Sequence, residues 1–130
     1  MAPTRKCIRA TIRKTQEILN KDGWCRGTYA NTKNQHCLVG ALFHAVPSQS
    51  DRMHTMLTQL ILDEVTRSYG NNWNSLTAWN DEHRRRKSHV LRLLDRVLLN
   101  LENDNYRYKD GQWVYKKRTT ASVQSKRCHL

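Results

Sequence analysis

Two short runs hold the residues with the most chemistry in them. Gly23-Trp24-Cys25-Arg26-Gly27-Thr28-Tyr29 is followed, after a polar loop, by His36-Cys37-Leu38-Val39-Gly40-Ala41-Leu42. Together they bring two thiols, an imidazole, an indole and three glycines to the junction between two predicted helices. Cys37 falls in the first turn of the second of these, where a helix dipole lowers a thiol pKa and favours a thiolate nucleophile. A thiol-dependent hydrolase or transferase would then draw its base from His36, His44, His83 or His89, with Asn80 or Asp81 orienting it. The alternative is that Cys25 and Cys37 are small buried apolar residues, as free cysteines commonly are. No recognised nucleophile signature surrounds Cys37, and the first expectation is therefore a protein that is not an enzyme. The spacings Cys25-x11-Cys37 and Cys37-x6-His44 lack the close pairs of zinc sites, so neither metal nor cofactor is predicted.

The second chemical signal is charge. Lys and Arg outnumber Asp and Glu by 23 to 11 in 130 residues, giving a net charge of +12. Such a balance calls for an anionic partner: DNA, RNA, a nucleotide or an acidic protein surface. Three basic segments are candidates. Arg9 and Arg13, with Arg5, Lys6 and Lys14, lie on the polar face of the first predicted helix, at its dipole-disfavoured end. Arg84-Arg85-Arg86-Lys87 forms a run suited to phosphate contacts. The third segment is the C-terminal stretch with Lys116-Lys117-Arg118 and Lys126-Arg127. Trp113 and Tyr115, interleaved with cations, are candidate stacking residues for bases, or else pack on the helices. No Gly-rich phosphate loop or helix-turn-helix pattern accompanies them. The aromatic Gly-Trp-Cys and Trp79-Asn80 segments offer a compact nucleobase pocket as a further reading.

Periodicity supplies the elements that would position these groups. Ile8, Ile12, Thr15, Ile18 and Leu19 mark a helix over residues 4–21, capped by Thr4 and stopped at Gly23. Leu38, Ala41, Leu42, Ala45 and Val46 mark a second, from Cys37 to Val46, ended by Pro47. Met53, Met56, Leu57, Leu60, Ile61, Val65 and Tyr69 predict a third from Asp51, with Ser50 as cap and Gly70 as stop. Ser75 is placed to cap a single turn reaching Trp79. Val90, Leu93, Leu94, Val97, Leu98 and Leu101 predict a last long helix capped by Ser88, antiparallel to the third. Asp110-Gly111 between Tyr106-Arg107-Tyr108 and Trp113-Val114-Tyr115 is a hairpin signal. The expected fold is mainly α: a small bundle of about four helices with a short C-terminal β-hairpin. Residues 1–115 form a single domain and 116–130 a basic, disordered tail.

The pattern Gly-Trp-Cys-Arg-Gly-Thr-Tyr, then Cys-Leu-Val-Gly-Ala-Leu, then Trp79-Asn80-Asp81 ahead of a Leu-rich helix resembles a small uncharacterised domain of actinobacteria and their phages. The resemblance covers about residues 8 to 101 and implies a kind of organism and a domain extent, but no mechanism. It leaves aside the tail and the Arg84–Lys87 run. No apolar stretch approaches the roughly 18 residues of a membrane span, and no apolar segment follows the basic N-terminus. The expected location is therefore the cytoplasm of a bacterial or phage-infected cell, with no membrane partner and four reduced cysteines. The expected role is a small binding protein for nucleic acid or a nucleotide, in a phage context an accessory or host-modulating factor. The alternative is a modulator docking on an acidic host protein.

Overall fold

The computed structural model describes residues 3–116. Five α-helices precede a two-stranded hairpin: α1 Arg5–Asp22, α2 Leu38–Ala45, α3 Asp51–Tyr69, α4 Leu76–Asn80 and α5 Lys87–Glu102, then β1 Tyr106–Lys109 and β2 Gln112–Tyr115. A 3-10 turn, Pro47–Gln49, links α2 to α3. The architecture is the mainly α bundle with a C-terminal hairpin that the periodicity predicts, α4 being the single capped turn. The expected tail from residue 117 onward lies outside the described residues.

The ends of these helices follow from their capping residues. Thr4, Ser50 and Ser75 each accept a bond from a backbone N–H of the turn they open. Gly23 and Gly70 close α1 and α3 with φ of 99° and 91°, a region that glycine enters without steric cost. Two expectations need correcting. Cys37 is the N-cap of α2 rather than a first-turn residue, its sulfur accepting from the Gly40 N–H at 3.3 Å. Ser88 does not cap α5; the helix starts at Lys87 with Arg86 as N-cap, and His89 Nδ1 accepts the Arg86 N–H at 3.0 Å. A side chain reaching back from the third position takes up the N-cap N–H, the half of a capping box that the N3 residue supplies.

The core is built from the stripes that the sequence marks. Ile8, Ile12 and Leu19 of α1, Leu38 and Leu42 of α2, Leu57, Leu60 and Ile61 of α3 and Leu93 and Leu94 of α5 are all but sealed from solvent, together with Trp79 and Tyr106. Gln16 of α1 donates to Asp95 and to the Leu91 carbonyl, while Arg5 donates to the carbonyl of Tyr106, beyond the end of α5. The two helices therefore run antiparallel. Glu64 of α3 meets Asn100 of α5, and Tyr69, further along α3, meets Arg85 just before α5, so this pair is antiparallel as well.

The hairpin leans on the helices through a buried polar network absent from the periodic reading. Glu64, only 5% exposed, accepts from Arg67 Nη2 (2.9 Å), Ser68 Oγ (2.7 Å) and Asn100 Nδ2 (2.7 Å). Arg67 also donates to the Tyr106 hydroxyl at 3.1 Å and stacks 3.9 Å from the Tyr115 ring centroid. Burial pushes the Tyr106 hydroxyl up to about 12, so it keeps its proton except at strongly alkaline pH. Tyr106 pairs with Tyr115 across the strands, and Asp110 and Gly111 both take positive φ, 52° and 82°, at the turn. Lys116, at the head of the expected tail, still bonds to the Asn105 carbonyl and to Asp104.

Candidate functional site

The segments before α2 meet in a knot held by two isolated β-bridges at His36. Trp24 pairs in parallel with His36, and Ala30 pairs antiparallel with the same residue. Asn80, at the end of α4 and fully buried, ties the knot to the bundle. Its Oδ1 accepts from Trp24 Nε1 (2.7 Å) and from the Leu38 N–H (3.0 Å), and its Nδ2 donates to the Cys25 carbonyl (3.2 Å) and to Asp81 Oδ1 (3.0 Å). Asp81 in turn accepts from the Gly27 N–H at 2.9 Å. All four bonding sites of one amide are used, which is how a buried asparagine becomes stable.

Gly40 lets the knot close onto α2. A Cβ there would collide with the carbonyl oxygen of Tyr29 and lie 3.2 Å from its carbonyl carbon. Both obstacles are backbone, so they cannot rotate away. Gly40→Ala is expected to cost about 1–3 kcal/mol through overpacking, read as a lowered denaturation midpoint with an unchanged m-value. Gly70→Ala meets no neighbour and serves as the comparison for backbone strain alone.

Both thiols of the Gly-Trp-Cys and His-Cys runs are buried. Burial pushes the Cys37 thiol up, more than the N–H groups of Gly40 and Val39 pull it down. Burial, then the neighbouring Cys37 and Asp81, pushes Cys25 up as well. His36 does not serve Cys37: its Nε2 faces Asp22 Oδ2 at 3.1 Å. Cys37, Thr77 and Asp81 line a cleft of about 290 Å³ with Gly27, Thr28 and Tyr29. Among the described residues no cluster of three or more His, Cys, Asp or Glu side chains is placed to hold a metal ion.

The candidate phosphate-binding residues fall into two groups. Arg84 and Arg86 are exposed and Lys87 is partly so, at the N-terminal end of α5. Arg85 differs from its neighbours. It lies 4.0 Å from the Trp79 ring centroid, 5.1 Å from Tyr69 and 5.5 Å from Trp73, and Nε donates to the Trp79 carbonyl at 2.9 Å. Burial presses its pKa down, though a guanidinium stays charged. Arg26, to which the sequence assigns no role of its own, joins this corner by donating to the carbonyls of Glu82 and His83. Its signal was its place in the Gly-Trp-Cys-Arg-Gly run, but no local rule shows that the run meets residues 82 and 83.

Arg9 and Arg13 are exposed on the N-terminal half of α1, beside the C-terminal half of α5 and so toward its other end. Trp113 and Tyr115 lie near that end and contact the protein itself. Trp113 donates to the Pro3 carbonyl at 3.3 Å with Arg5 5.4 Å from its ring centroid, and Tyr115 stacks on Arg67.

The site is thus a cationic corner on a helical bundle, bound to an asparagine-centred knot. The chain belongs to a family of unknown function, DUF6197, which it matches over residues 3–98. That span contains the knot, Asn80 and the whole Arg84–Lys87 run, and it stops before the hairpin. No curated protein and no solved structure matches the chain.

Proposed function

We propose that the protein binds an anionic partner, nucleic acid in the first place, at the corner formed by Arg26, Arg84, Arg86 and Lys87, without catalysing a reaction on it. The supporting observation is how the charges are paired. Asp81 in the same turn is held by Gly27 and Asn80, and Glu82 by His83. Among the described residues, the ion pairs to Asp or Glu made by arginine or lysine involve only Arg5, Arg67 and Lys116. The acids are internally engaged, and Arg84, Arg86 and Lys87 remain open to a ligand, with the part of the Arg26 guanidinium that is not bonded to the Glu82 and His83 carbonyls. Cations at the positive end of a helix macrodipole oppose helix stability, and a bound phosphate relieves that opposition.

Arg9 and Arg13 provide a second, weaker contact. The sixteen residues of α5 span about 24 Å, which matches several phosphates of a strand better than one nucleotide. Trp113 and Tyr115 add stacking only at the edges they leave open. The setting we infer is the cytoplasm of an actinobacterial or phage-infected cell, where a small basic protein of this kind acts as an accessory or host-modulating factor. An acidic protein surface is the other partner that the same cations fit. A hydrolase built on Cys37 is disfavoured by its raised thiol pKa.

The double variant Arg84→Glu/Arg86→Glu is expected to weaken binding of a labelled oligonucleotide about tenfold or more at low salt. Arg9→Glu/Arg13→Glu should weaken it less. Unchanged affinity in the first variant, with the helical circular dichroism intact, would move the interface elsewhere.

A further inference from the structure

Cys25 and Cys37 are free, buried thiols, each one residue beyond a bridged pair. Trp24 and His36 are partners in a parallel bridge, formed by the Cys25 N–H donating to the His36 carbonyl (3.0 Å) and the His36 N–H donating to the Gly23 carbonyl (3.0 Å). One step along this register sets Cys25 beside Cys37. Residues paired across adjacent strands project to the same face, and the strands lie about 4.8 Å apart. Disulfides bridge Cα separations of about 4.4–6.8 Å, a range that includes this strand spacing. The mutual electrostatic influence of the two thiols agrees with this closeness.

In the reduced protein the two sulfurs are turned to separate partners. Cys25 Sγ donates to the carbonyls of Gln35 (3.3 Å) and Thr28 (3.6 Å), and Cys37 Sγ accepts from the Gly40 N–H (3.3 Å). Rotation about χ1 exchanges these weak sulfur bonds for a covalent one. Cys37 lines the cleft beside Asp81, which gives a small reagent a route to the pair.

We propose that Cys25 and Cys37 are an oxidisable pair that forms an intramolecular disulfide with a low-molecular-weight disulfide as oxidant. One cysteine, as thiolate, attacks a sulfur of the oxidant. The oxidant's S–S bond breaks, and its first thiolate leaves with the proton released. The second cysteine, as thiolate, then attacks the protein sulfur of the mixed disulfide, displacing the second thiol. Two protein thiols are oxidised, one small disulfide is reduced to two thiols, and both protons go to the leaving groups. The crosslink closes the loop between the Arg26-bearing strand and the start of α2, stapling the knot to the helix that it abuts.

The raised thiol pKa values make the reaction slow, so the test is run to equilibrium. The full chain carrying Cys7→Ser and Cys128→Ser is held in glutathione buffers of graded ratio, approached from the reduced and from the oxidised side. It is then denatured, blocked with N-ethylmaleimide and weighed. The expected product is a monomer that has lost two hydrogens and takes up no maleimide. On tryptic digestion its Cys25 peptide is joined to its Cys37 peptide, and its Tm lies above that of the reduced form. Adding Cys25→Ser should abolish both the crosslink and the Tm rise. Two maleimide adducts at every ratio, glutathione adducts without a crosslink, or a crosslink that forms only in denaturant would each overturn the proposal.

Discussion

Replacing Asn80 by alanine should be among the most damaging single substitutions in the chain. The change leaves the Leu38 N–H, the Cys25 carbonyl and Trp24 Nε1 without their partners in one stroke. A buried polar group stripped of its partner costs about 1–3 kcal/mol, so a total of about 4 kcal/mol is expected. For a chain of this size that lowers Tm by more than about 10 °C, measurable by thermal or urea denaturation. Asn80→Asp separates geometry from bonding. It keeps the shape and one acceptor but sets a carboxylate against Asp81 Oδ1 and the Cys25 carbonyl. A carboxyl so placed has a folded pKa raised above its unfolded value. Its ionisation penalty is therefore absent at acid pH and grows as pH rises through that pKa, so Asn80→Asp should be more destabilised at neutral than at mildly acid pH. An Asn80→Ala protein as stable as the parent would show that the knot is held by packing alone.

Glu64→Ala is the second large effect. The substitution removes the acceptor of three bonds and leaves the partly exposed Arg67 guanidinium without its counter-charge. Stripping buried polar groups of a shared acceptor costs about 1–3 kcal/mol, and the guanidinium, which water still reaches, adds less than a fully buried ion would. Because the same network grips the Tyr106 hydroxyl and the Tyr115 ring, the hairpin should loosen first. Hydrogen exchange at β1 and β2 is expected to rise before that of α1. Glu64→Gln, which keeps an acceptor oxygen but no charge, should lose less. A Glu64→Gln protein as stable as the parent would mean that the charge of Glu64 contributes nothing beyond its hydrogen bonds, whereas losses equal to those of Glu64→Ala would put the whole effect on the charge.

The two predictions also show where reading from sequence stops. The stripes of Ile8, Ile12 and Leu19, or of Leu93, Leu94 and Val97, are legible because helical periodicity is a local property. So are the caps at Thr4, Ser50 and Ser75, and the turn at Asp110-Gly111, since each depends on residues a few positions apart. Asn80 and Glu64 interrupt those patterns with polar side chains, and their partners lie 56 and 36 positions away, at Trp24 and Asn100. Nothing local distinguishes a buried asparagine from one in a loop. The Arg84–Lys87 run is visible as charge, but not the divergence within it. Arg86 is an extended N-cap and Lys87 opens the helix, so the chain changes direction there. Arg85 turns inward onto Trp79 while Arg84 and Arg86 stay outside. Arg26 joins them through a contact with residues 82 and 83 that no spacing rule could anticipate.

The proposed role of the cations at the head of α5 is to bind phosphates. Its most direct test is the affinity for labelled single- and double-stranded DNA and RNA across a salt series. The three open cations Arg84, Arg86 and Lys87 predict a slope of log affinity against log salt of about −2 to −3, flattened by Arg84→Glu/Arg86→Glu. No binding even at low salt, or a slope that this variant leaves unchanged, would contradict it.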